Sequence, residues 1–168
     1  MKKSSRKAQL KISFGMIFSI ILIIIFLAFG FWAIKSFLSL GGFVQLAKFS
    51  ETLQNDVDKI WRGQQGSWSP PSGYNVGKIQ AICFIDYFGD GRGRNVDLFS
   101  ELNQLNYGGD ENLVFYPISA GEGTSLKIEH IDIKKMTAEH NPYCVNAEKS
   151  KMKLTVEKNY GENLVTIY

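Results

Sequence analysis

ISFGMIFSIILIIIFLAFGFWAI, residues 12–34, is an uncharged run of 23 residues closed by Lys11 on one side and Lys35 on the other. Fifteen of the 23 are Ile, Leu or Phe, and the run contains no Asp, Glu, Lys, Arg, His or Pro. At 1.5 Å rise per residue a helix of this length covers roughly 34 Å, slightly more than the ~30 Å hydrocarbon core of a bilayer. The large apolar residues favour insertion by roughly 5 to 9 kcal/mol in total. The run predicts a transmembrane helix over 12–34 that crosses with a small tilt, and the lipid bilayer is its first expected partner.

The flanking charges give this span a direction. Lys2, Lys3, Arg6, Lys7 and Lys11 precede it, whereas only Lys35 and Lys48 follow it as far as Ser50. The positive-inside rule then places residues 1–11 in the cytoplasm as a basic tail and residues 35–168 outside the cell membrane. Those outer residues carry 14 Lys and Arg against 16 Asp and Glu, a balance of −2, so the tail accounts for the whole of the +3 net charge. A nucleic-acid partner is not expected, because the folded part has no excess of positive charge. A cleavable secretory signal is the rival to a permanent anchor. Its apolar core is usually about 7 to 15 residues long, shorter than this run, although Ala28-Phe-Gly30 is a loose small-x-small match.

Immediately before the span stands Arg6-Lys7-Ala8-Gln9-Leu10, a basic pair, a small residue and Gln. This arrangement resembles the class III signal of archaeal type IV pilins and archaellins. The resemblance covers roughly the first 35 residues. It implies a prepilin-type peptidase as a partner, cutting between Ala8 and Gln9 on the cytoplasmic side and leaving the helix on the mature chain. Lys7, Ala8 and Gln9 are then the processing residues. The chain departs from the pattern at the fifth mature position, where such pilins often carry Glu and Ser13 stands here. A simple uncleaved anchor remains the alternative.

Beyond Gly41-Gly42, Phe43, Leu46, Leu53, Val57 and Ile60 recur at helical spacing, with Glu51, Asp56, Asp58 and Lys59 between them. The spacing predicts an amphipathic helix from about Phe43 to Arg62, within a helical stalk over 35–62. The Gly, Ser and Pro residues of 63–77 predict a loop. Residues 78–168 read as one extracytoplasmic α+β domain, mainly antiparallel with one short helix. Its predicted strands are Ile79–Tyr87, Leu113–Ile118, Leu126–Ile133, Tyr143–Val145, Lys151–Glu157 and Leu164–Tyr168, the last two forming a hairpin. In Lys151–Glu157 the alternation points Met152, Leu154 and Val156 inward. Asp97 is the expected cap of the helix carrying Leu98, Phe99, Leu102 and Leu105, which Tyr107-Gly108-Gly109 ends. A membrane helix that runs into an amphipathic half packed on a small β domain is also what the pilin resemblance implies.

The two cysteines, Cys83 and Cys144, both fall in the outer part, where thiols pair, and a disulfide between them is expected. A zinc set built from them with His130 and His140 is the competing reading, but no CxxC or HxxxH spacing accompanies it. Asp86, Asp90 and Asp97 are weak candidates for a cation site. They fall at the first, fifth and twelfth places of a Ca²⁺-type loop, but Phe88 takes the third place and Asp, rather than Glu, the last. Arg92 and Arg94 add positive charge to that loop, which favours a solvated Gly-rich connection and no metal. Gly121-Glu-Gly123 reads as a turn. No catalytic constellation is recognisable, so neither an enzyme nor a cofactor is expected. The expected function is that of a single-pass, pilin-like surface protein that acts in assembly or surface interaction through contacts with copies of itself or related subunits. The alternative is an uncleaved, membrane-anchored binding module that forms no filament.

Overall fold

A computed structural model of the chain describes residues 14–104, 109–120 and 125–168, with side chains undescribed over 37–43. The chain divides into two compact units, Met1–Ser39 and Leu40–Tyr168. The helix α1, Phe14–Trp61, starts in the first unit and ends in the second. It continues through Gly41 and Gly42, which the sequence marks as a weak point costing about 1 kcal/mol per Gly against Ala.

In the second unit Leu46, Phe49, Leu53 and Val57 are buried, at spacings of three and four residues. Phe49 belongs to this stripe although the sequence reading passed over it, and the side chain of Phe43 lies outside the described residues. Burying four such side chains favours folding by roughly 6 to 12 kcal/mol before chain entropy is counted. The helix ends where Gly63 N–H turns back to the Ile60 carbonyl (3.1 Å). The nearly buried Lys158 closes this end, its Nζ donating to the carbonyls of Trp61 (2.7 Å) and Gly63 (2.9 Å). A cation there satisfies free carbonyls and opposes the negative end of the helix dipole.

Nine short strands follow among the described residues. β1 (Gly66–Trp68), β8 (Val156–Lys158) and β9 (Thr166–Ile167) form one sheet in the order β1-β8-β9. β2 (Tyr74–Asn75) pairs with β7 (Lys151–Met152). The third sheet has the order β5-β4-β3-β6, from Ser125–Leu126, Leu113–Tyr116, Ala81–Phe84 and Tyr143–Asn146. All these strand pairings are antiparallel.

The third sheet is covered on both faces, which is why its central strands read as unbroken apolar runs. Ile82, Phe84, Leu113 and Phe115 join the cluster that contains the α1 stripe. Their neighbours Cys83, Ile85 and Val114 point the other way and pack with Leu102 of α2, Val96–Asn103. Alternation along a strand sends successive side chains to opposite faces.

Several expectations need correction. The 63–77 segment holds strands β1 and β2, because Trp68 and Tyr74 are drawn into pairing with distant Val156 and Met152. Lys151–Glu157 is split between two partner strands, although Met152, Leu154 and Val156 all point inward as expected and β8–β9 forms the hairpin. The Leu126–Ile133 strand stops at Leu126. His130 takes a left-handed φ of 64°, and Asp132 caps the short helix α3, Ile133–Met136, accepting from Lys135 N–H (3.0 Å). Among its described residues the domain thus holds two short α-helices where one was expected. Asp97 lies in the first turn of α2, whose capping position is Asn95. Leu105 and the Tyr107-Gly108 end of that helix lie outside the described residues, as does Gly121-Glu-Gly123.

Candidate functional site

The apolar part of α1, Phe14–Ser36, is 23 residues long. Successive helical positions point about 100° apart. Ile23, Ile24 and Ile25 are nevertheless each more than half exposed, at 57%, 59% and 57%. The helix is therefore apolar around its whole circumference, and none of its described residues over this stretch is buried. The Ser19 hydroxyl donates to the Gly15 carbonyl (2.8 Å), so this polar group is satisfied within the helix. Such a helix is compatible with a membrane anchor, and a signal sequence has the same form. Lys7, Ala8, Gln9 and Ser13 lie outside the described residues.

Asp86, Asp90 and Asp97 do not converge on a cation. The loop that carries the first two is wrapped around Asn141, which is wholly buried. Asn141 Oδ1 accepts from Asp86 N–H (3.1 Å), and its Nδ2 donates to the carbonyls of Asp86 (2.9 Å) and Asp90 (3.2 Å). Its backbone also exchanges two 2.9 Å bonds with Arg92. The Asp86 carboxylate accepts from Phe88 N–H (3.0 Å) and is thereby engaged in the turn. Gly93 has φ +75°, and a Cβ there would stand 2.5 Å from the Glu139 carbonyl. A Cβ on Gly91 would meet the Phe99 ring at 2.8 Å. The glycines serve close packing of this loop, and Phe88 is left at its tip, 87% exposed. Asp97 instead borders a separate cavity of about 390 Å³, with Glu101, Tyr116 and Cys144. Among the described residues, no three His, Cys, Asp or Glu side chains are grouped to hold a metal.

Cys83 and Cys144 face each other directly across β3 and β6 and are joined by a disulfide. Both sulfurs are therefore withdrawn from the zinc set considered above. His140 Nδ1 accepts from Arg94 N–H (3.3 Å). His130 stacks flat on Trp61, with ring centroids 3.7 Å apart, and its Nδ1 is 3.0 Å from Asp58 Oδ1. Gln54 joins this group, donating to Asp58 (2.8 Å) and accepting from Glu129 N–H (2.8 Å). Burial raises the Asp58 carboxyl, but the bonds from His130 and Gln54 and the charges of His130 and Arg62 outweigh it and hold the group below its ordinary value. These contacts tie α1 to the 129–130 turn. They join residues about 70 apart in the chain, and no local pattern announced them.

Deeper in the core, burial and then the bond to Asp56 (2.7 Å) push the Tyr74 hydroxyl well above its ordinary range. Tyr74 and Phe49, in edge-to-face contact at 5.7 Å, line an open groove of about 290 Å³. Gln45, Lys48, Thr52, Pro70 and Asn75 are among its other lining residues. Set beside known proteins, the chain matches no family model, no curated protein and no solved structure.

Proposed function

We propose that the protein is a single-pass membrane-anchored surface protein, pilin-like in its N-terminal region. Residues 1–11 face the cytoplasm, and residues 35–168 lie outside the cell membrane. The observation that carries this reading is the 23-residue helix exposed around its full circumference. Water would penalise that surface by tens of kcal/mol at ~25 cal/mol per Å², so lipid or other apolar helices must cover it. The same helix continues into a stripe that is buried in a small, disulfide-closed domain. The basic residues ahead of it supply both the orientation and the Arg6-Lys7-Ala8-Gln9 cleavage context. On this reading the working part is the apolar helix, which packs on copies of itself or on related subunits. Ser13, at the position where such pilins often carry Glu, favours a second reading in which the protein is an uncleaved anchored binding module.

Changing Ala8 to Asp separates the two. A peptidase that needs a small residue before the cut would no longer act, whereas the span and its flanking cations stay intact. The Ala8→Asp chain is expected to be eight residues longer than the wild type, to stay in the membrane fraction and to vanish from sheared surface material. Equal mass and equal distribution of the two chains would overturn the pilin-like reading in favour of the binding module.

A further inference from the structure

Residues 35–168 carry a net charge of −2, yet lysines gather at the end of the second unit where α1 enters it. Gln45, one helical turn before Lys48, lies against Gly77, where an added Cβ would stand 2.2 Å from the Gln45 Oε1. Lys78 is the next residue. Val76 N–H donates to the Ser150 carbonyl (3.0 Å), and Asn75 pairs with Lys151 across β2 and β7. Lys48, Lys78, Lys149 and Lys151 are therefore carried by three segments in contact, and all four are exposed. Glu51 and Glu148 are the acidic residues nearest to them in sequence. Among the described residues, none of the four ammonium groups forms an ion pair.

The turn that carries two of these lysines has an unfavourable backbone. Glu148 and Lys151 exchange N–H to carbonyl bonds of 2.7 and 2.9 Å, which leaves Lys149 and Ser150 as the central pair, at φ +50° and +63°. Such a two-residue turn selects Asn-Gly, because a residue with a larger side chain is disfavoured in the left-handed region. A lysine held there in spite of its backbone points to a use for its charge.

Gln45 follows Ser36, the last residue of the apolar part of α1, by nine positions. Nine residues reach at most about 30 Å even when fully extended, so the lysines are tethered to any surface that the apolar helix enters, at high effective concentration. We propose that this basic end of the second unit binds anionic lipid headgroups of the leaflet from which the chain emerges. A Lys beside an anionic membrane surface strengthens binding about fivefold and acts within a Debye length of about 8 Å. Charge acting over that distance requires no fixed side-chain geometry. The inference rests on the membrane-anchored reading, cleaved or uncleaved, and adds to it a second contact that orients the domain on the bilayer.

The test reconstitutes the full chain in vesicles whose headgroups carry a spin-label quencher, with a fluorescent amino acid replacing Ser150 in one preparation and Tyr160 in another. Tyr160 is exposed near the far end of α1, where Trp61 Nε1 donates to the Asn163 carbonyl (3.1 Å). Quenching at position 150 should rise about twofold when about 30% of the phosphatidylcholine is replaced by phosphatidylglycerol, and the rise should disappear in about 0.5 M salt. Quenching at position 160 should not change. Lys48→Gln, Lys78→Gln, Lys149→Gln and Lys151→Gln in one chain should remove the rise without lowering the melting temperature, because all four sites are exposed. Equal quenching in the two kinds of vesicle, an equal rise at both positions, or a rise that survives salt would overturn the contact. Shielding of these lysines from acetylation in native membranes but not in the anionic vesicles would make a protein the partner and overturn it as well. A chain that does not float with carbonate-washed vesicles overturns the anchor and the contact together, whereas a chain that floats without the rise loses the contact alone.

Discussion

Residues 14–36 and 44–61 belong to one helix, yet Ile23 is 57% exposed and Leu53 is wholly buried. Composition and spacing both separate the two stretches. In the second, polar residues such as Glu51, Asn55 and Lys59 recur between the apolar positions, so one stripe is free to enter a protein core and the opposite face stays in water. In the first, no polar stripe exists, and no arrangement of a small β domain could bury every side of it. Helix formation is common to both, and the surroundings that each demands are different.

If stability resides in the second unit alone, breaking that unit should leave the apolar helix in its membrane. The largest effect is expected from the disulfide. Reducing Cys83–Cys144, which closes a loop of 61 residues, should lower the stability of the domain by about 4 kcal/mol. Membrane retention should not change. Denaturant titration of the detergent-solubilised protein, with and without reductant, measures the first, and carbonate extraction of membranes the second. Loss of membrane retention on reduction would break the distinction between the two regions.

A paired truncation sharpens the comparison. Leu53→Ala should destabilise the domain by about 3 kcal/mol, because a fully buried side chain leaves a cavity. Ile23→Ala, in the apolar stretch, should change domain unfolding by less than about 0.5 kcal/mol. Equal effects of the two substitutions would mean that the apolar stretch also packs into the folded core.

The smallest effect concerns the pair that fastens α1 to the domain. The Asp58 carboxyl is held below its ordinary 3.8 in the folded protein, so it keeps its charge at pH values where the unfolded chain has taken up a proton. Its contribution is therefore present in full above about pH 5 and is lost as the pH falls through 3.8 and below. Asp58→Asn should lower the melting temperature by a few degrees at pH 6, and the gap from wild type should close towards pH 3. A gap that is the same at both pH values would assign the effect to packing.

The elements most legible in the sequence are those that local pattern decides. The uncharged run fixes a long apolar helix, the seven- and four-residue spacing of Leu46, Leu53 and Val57 marks the buried stripe, and strict alternation places Met152, Leu154 and Val156 inward. The two cysteines pair with each other as expected. What escaped were features made by distant partners. β1 and β2 exist because β8 and β7 lie beside them. Asn141 organises a loop some 50 residues earlier in the chain, and His130 meets Asp58 across a separation of 72. The Asp86–Asp97 spacing has the outline of a cation loop, yet its first carboxylate closes a turn and its last sits on a helix.

N-terminal sequencing of the mature, membrane-extracted chain tests the central claim most directly. The account predicts Gln9 as the first residue, with the whole 12–34 run still attached. Met1 as the first residue would contradict prepilin-type processing and leave a plain anchor, whereas a start beyond Gly30 would contradict the membrane anchor itself.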